Sequence, residues 1–98
     1  MKIKKKIKKK IKKKNNQTKD KILKKIQPIF RKVFENKKLI LNEKLNASKV
    51  KNWNSLNHIT LIVELESFCK LSFTTEELVK LNNVGDFVNL LIKKNYSV

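Results

Sequence analysis

A chain of 98 residues with one Gly and one Pro has room for one small domain and lacks the turn residues that a small β-protein needs. The lone Cys69 excludes an internal disulfide or a zinc cluster and fits a reducing, cytoplasmic setting; no stretch has the apolar length of a membrane span or a signal-peptide core. The formal charge of +17 is uneven: residues 1–18 carry ten Lys and no acid, residues 19–51 eleven basic and three acidic groups, and residues 52–98 four Lys and five acids.

A front half so basic suits phosphates, because each one neutralised releases counterions. The same composition also follows from codon bias: Lys, Ile and Asn make up 46 of the 98 residues, and Arg31 is the only arginine where a phosphate reader would favour the guanidinium fork. Within the arm, Ile-Lys-Lys-Lys repeats at Ile3, Ile7 and Ile11, a spacing that lines one helix face as in a membrane-surface anchor. Mutual repulsion of the lysines opposes that helix in water, so residues 1–18 are expected to be a disordered arm unless an anionic surface neutralises them.

Apolar residues at Ile22, Leu23, Ile26, Ile29, Phe30, Val33 and Phe34 predict a first helix over 20–36 with one buried face. Pro28 lies inside it, so either the helix bends there or its regular part begins near Lys24. From Asn36 to Asn54 no period survives; this reads as a long connection that buries a few aliphatic side chains among Leu39, Ile40, Leu41, Leu45 and Val50. A second helix starts at Ser55, with Leu56, Ile59, Ile62 or Val63, Leu65 or Glu66, and Phe68 at helical spacing, and with Asn54 or Ser55 as its cap.

Thr74 and Glu77 form a capping box ahead of a short third helix over 75–81. Asn83 caps a fourth, running to about 94, whose buried face is Val84, Phe87, Val88, Leu91 and Ile92. The tail from Asn95 should fray. The fold class is all-α: a small four-helix bundle over residues 19–95, three longer helices plus one short, behind the basic arm of 1–18.

Four side chains have chemistry to weigh. Ser55 at a helix start is either a plain cap or a place where a phosphate would lie beside free N–H groups and the positive end of the helix dipole. His58, one turn on, invites a Ser-His hydrolase, but the glycines of a nucleophile elbow are missing, which leaves it a surface residue near Ser55. Cys69 reads as a small buried hydrophobe, and Trp53 either packs the loop onto the second helix or meets a partner.

The run Trp53-Asn54-Ser55-Leu56-Asn57-His58-Ile59, then Glu64, Glu66 and Phe68, then Phe73-Thr74-Thr75-Glu76-Glu77-Leu78 and Asn83-Val84-Gly85-Asp86-Phe87-Val88, resembles the acyl carrier proteins, in particular stand-alone carriers with a Trp-Asp-Ser-Leu-Asn-His-Ile motif. The resemblance covers residues 20–94. It implies a carrier-type bundle, no catalysis by the chain itself, and a covalent 4′-phosphopantetheine from coenzyme A on Ser55, bearing acyl or aminoacyl thioesters for fatty acid or secondary metabolite biosynthesis. It also implies a phosphopantetheinyl transferase, an activating ligase and an acyltransferase or synthase as partners of a monomer, with Asn54, Leu56, Ile59, Glu64 and Glu66 as docking residues. Glu76 and Glu77 would add acidity for steering, and Ile62, Leu65, Phe68, Phe87 and Leu91 would form a core that either is a plain core or shelters an acyl chain. The chain departs from the family in Asn54, where the motif has Asp, and in its basic charge. Two further readings stay open: an unmodified carrier-like interaction protein, and a nucleic-acid-binding module that works through its arm and makes an anionic surface contact there.

Overall fold

The computed structural model describes the backbone of residues 2–96 and the side chains of residues 18–96. Four helices follow one another: α1 (Lys2–Val33), α2 (Ser55–Cys69), α3 (Thr75–Leu78) and α4 (Val84–Lys93). One isolated antiparallel bridge, Asn46 to Asn83, ties the long loop to the start of α4. No helix of the described residues is long and apolar enough to cross a membrane.

The backbone of α1 runs from Lys2 to Val33, and its packed part is the segment from residue 19 onward. The side chains of the lysine repeat lie outside the described residues. Pro28 sits within the helix without ending it, and regular helix starts well before Lys24. The C-terminus comes at Val33 rather than 36, because Glu35 turns left-handed (φ 52°) and Asn36 N–H donates to Arg31 O at 2.9 Å, which closes the last turn.

The core is a ladder from α1 (Ile22, Ile26 and Phe30) and Phe34 just beyond it, all fully buried, meeting Leu61 and Leu65 of α2 and Val84, Phe87, Val88 and Leu91 of α4. Aromatic rings fill its centre: Phe30 meets Phe34, Trp53 and Phe87 edge-on at 5.8–6.0 Å between centroids, and Trp53 lies against Phe34 at 5.2 Å. α2 buries Leu61, Ile62, Leu65 and Cys69, so Phe68, expected in the core, is instead 47% exposed. Apolar residues cover too wide an arc of α2 for spacing alone to select the inner stripe. In α4 Leu90 is buried where Ile92 was expected, and α3 stops at Leu78 rather than 81.

The loop between α1 and α2 is fastened by polar groups of α1 and by a bond between its own two ends. Arg31 Nε donates to Leu39 O (2.7 Å), Gln27 Oε1 accepts from Leu41 N (2.9 Å), and Asn52 Nδ2 donates to Phe34 O (2.9 Å). At the far end the amides of Val84 and Gly85, which open α4, donate to Leu45 O and Glu43 O at 2.9 and 3.0 Å. Leu41 and Val50 are buried beneath the loop, while Ile40 faces out. This lashing brings Ala47, Trp53 and the first turn of α2 to one end of the bundle, beside Leu81 and Asn82.

Candidate functional site

The chain enters α2 through a left-handed residue, Asn52 (φ 73°), then through Asn54 in extended backbone. Asn54 caps the helix twice: its Oδ1 accepts from Asn57 N at 2.9 Å and its carbonyl accepts from His58 N at 2.8 Å. Asn57 Nδ2 reaches back to Asn52 O at 2.8 Å and fixes the turn. Ser55 is therefore the first helical residue, and it is exposed. The amides of Ser55 and Leu56 belong to the set a helix start leaves without an intrahelical partner, and no acid lies in the first turn. The start of α4 differs, since loop carbonyls take its first amides.

Behind Ser55 stands a paired Trp and His. The Trp53 indole, 6% exposed, donates its Nε1–H to His58 Nδ1 at 3.0 Å, and the two ring planes are within 20° of parallel with centroids 6.2 Å apart. The near-coplanar arrangement points the in-plane indole N–H at the imidazole edge, and only an unprotonated nitrogen can accept it. The proton of neutral His58 must then reside on Nε2. Phe87 closes the other side of the imidazole at 5.9 Å, and burial pushes the His58 pKa down, so that the neutral ring is favoured. Trp53 thus packs the loop onto α2, one of its two open readings, and His58 is half-buried rather than a plain surface residue.

Ser55 opens onto a cleft of about 480 Å³ lined by Ala47, Trp53, Asn54, Ser55, His58, Ile59, Leu81 and Asn82. Its floor is the buried pair Trp53 and Leu81; the other lining residues are exposed or half-buried. The structure therefore brings Asn54, Ser55 and Ile59 together, whereas none of Ile62, Leu65, Phe68, Phe87 and Leu91 lines the space beside the serine. Leu56 (73% exposed), Ile59 (60%) and Val63 (57%) run along the outside of α2 as an apolar stripe.

The expected acidic groups are mostly engaged. Glu64 pairs with Lys32 Nζ at 2.9 Å, and Glu66 Oε2 accepts from Phe73 N at 2.9 Å. Glu77 accepts from Thr74 N at 2.8 Å and pairs with Lys94 at 2.9 Å, contacts that hold its carboxyl below the usual range, the Thr74 backbone bond most of all. Glu76 stays exposed. Cys69 is buried as expected, and burial pushes its thiol up against the weaker opposing effect of a Tyr96 hydrogen bond. Sequence reasoning missed Ala47, Leu81 and Asn82 as cleft walls, because they come from aperiodic segments joined only by the tertiary fold. The Trp53–His58 bond had a faint signal in the five-residue separation across a helix start.

No protein-family model and no curated protein matches the chain. Among solved structures, the chain is similar to the solution NMR structure of a holo acyl carrier protein from Geobacter metallireducens: 41% identity over 80% of this chain and 85% of that one, with a TM-score of 0.67.

Proposed function

The chain belongs to the acyl carrier protein family, and from that premise we propose that it is a carrier, not an enzyme, holding acyl or aminoacyl groups as thioesters on a 4′-phosphopantetheine arm attached to Ser55 Oγ. The observation that carries this reading is the exposed hydroxyl of Ser55 at the head of α2, in a chain 41% identical to a holo carrier. The residues present fit the group. A phosphodiester on Oγ would lie beside the unpaired amides of Ser55 and Leu56 and the positive end of the α2 dipole, with no first-turn carboxylate to repel it. Asn54 caps the helix as an aspartate would, but without the charge.

When bound, the group supplies a terminal thiol on which cargo rides as a thioester, at a high effective concentration for each enzyme that docks. The chain's own part is to hold the attachment point rigid and to present a surface. The double cap of Asn54 and the Asn57–Asn52 bond fix Ser55 relative to the bundle. Leu56 and Ile59 are exposed for contact with the modifying transferase, the activating ligase and an acyltransferase or synthase. Glu64 and Glu66 take part through their present pairings, so docking leans on apolar contact more than on free acidic charge.

Intact mass after co-expression with a broad-specificity phosphopantetheinyl transferase tests the reading. The expected result is a gain of one phosphopantetheine in the parent and none in Ser55→Ala. No gain in a folded, helical parent would favour the unmodified interaction protein, whose supporting observation is the uncharged Asn54.

A further inference from the structure

We infer that His58 is a positioning residue for the prosthetic arm: the arm folds from Ser55 into the adjoining cleft, and His58 Nε2–H donates a hydrogen bond to one of its amide carbonyls. This rests on Ser55 being the attachment site. The geometry supplies the rest. Trp53 Nε1–H occupies Nδ1 at 3.0 Å and sets the tautomer, leaving Nε2–H as the donor of a ring held between Trp53 and Phe87. His58 shares with Ser55 a cleft of about 480 Å³, of the size that takes a small organic group.

The lining of that cleft matches the chemistry of a pantetheine arm, which alternates amides with short alkyl segments. Asn54, His58 and Asn82 supply polar edges, while Ala47, Ile59, Leu81 and the Trp53 ring supply apolar wall and floor. The other candidate destination, the bundle interior, is filled by the contacting rings of Phe30, Phe34, Trp53 and Phe87. Burial that favours neutral His58 keeps the donor on Nε2 and the acceptor on Nδ1 through the neutral pH range. The ligand class is thus an amide-bearing, covalently tethered chain, held at the surface by a preset imidazole donor.

The chain has one His and one Trp, so each ring gives a single set of signals. Heteronuclear NMR of the ¹⁵N-labelled protein before and after loading, with loading verified by intact mass, tests the inference. In the holo protein we expect cross-relaxation between the His58 ring protons and the geminal methyls of the arm. Exchange of Nε2–H with water should slow by about fivefold, the protection one ordinary hydrogen bond provides. In His58→Phe, which keeps a ring but has no donor, loading by mass should persist, while cross-relaxation from Trp53 and Ala47 to the arm weakens. Full loading with His58 signals unchanged and no contact to the methyls would overturn the inference and leave the carrier reading intact. Absence of loading would remove both.

Discussion

Asn54 decides the electrostatics of the serine's end of the bundle. Its side chain bonds Asn57 N at 2.9 Å, so Asn54→Ala leaves an amide unsatisfied and should lower stability by about 1 kcal/mol in chemical unfolding. Asn54→Asp keeps the bond and sets a negative charge against the α2 dipole, for a gain of roughly 0.3–1 kcal/mol that shrinks with salt. His58 carries a pH signature of opposite origin. Burial lowers its pKa from 6.5 in the folded chain, so below about pH 6.5 the unfolded chain takes up a proton that the folded chain refuses. Stability should therefore be level above that pH and decline as pH falls toward 5. Urea unfolding at several pH values checks this, and His58→Gln should flatten the decline. A decline of the same size in the variant would assign it to other groups.

At the scale of elements, the features legible in sequence are those closed by short-range chemistry. Thr74 with Glu77 and Asn83 with Asp86 both form complete capping boxes, with the side-chain and backbone bonds that their spacing announces. Thr74→Ala should accordingly lower stability by about 1 kcal/mol, read as a shifted denaturation midpoint. What sequence left ambiguous was α2, where eight apolar residues out of fifteen offer two overlapping stripes; only the docked α1 selects Leu61 and Leu65 over Leu56 and Val63. The loop's path was equally illegible, because it is set by carbonyls meeting the start of α4. A Cβ at Gly85 would stand 3.1 Å from Glu43 O and 3.2 Å from Glu43 Cβ. That carbonyl is held in place by the Gly85 amide itself at 3.0 Å and has little room to give. Gly85→Ala should lower stability by about 1–3 kcal/mol despite alanine's better helix propensity, and a stabilised variant would show that the loop can shift.

Across the whole molecule, charge and core are separated along the chain. The first described buried side chain is Ile22, and among the described residues the ion pair nearest the arm is Lys19 with Glu43 at 3.6 Å. Deleting residues 2–14 removes ten lysines and lowers the formal charge from +17 to +7. None of the packed groups described above is lost, and the self-repulsion that a large net charge imposes on a compact state is relieved. The truncated chain should melt at the same temperature as the parent in high salt and above it in low salt, where the Debye length reaches about 30 Å at 0.01 M and the lysines repel across the domain. Thermal melts of both chains across a salt series check this. If the arm instead contributes packing, the truncated chain will melt lower at every salt concentration. The same pair of proteins separates the arm from the carrier: phosphopantetheine loading at Ser55 should be equal in both, because the serine, its Asn54 cap and the cleft are built from residues between Ala47 and Asn82, none of which is deleted. Binding to duplex DNA at low salt, where the parent shows it, should disappear with the lysines.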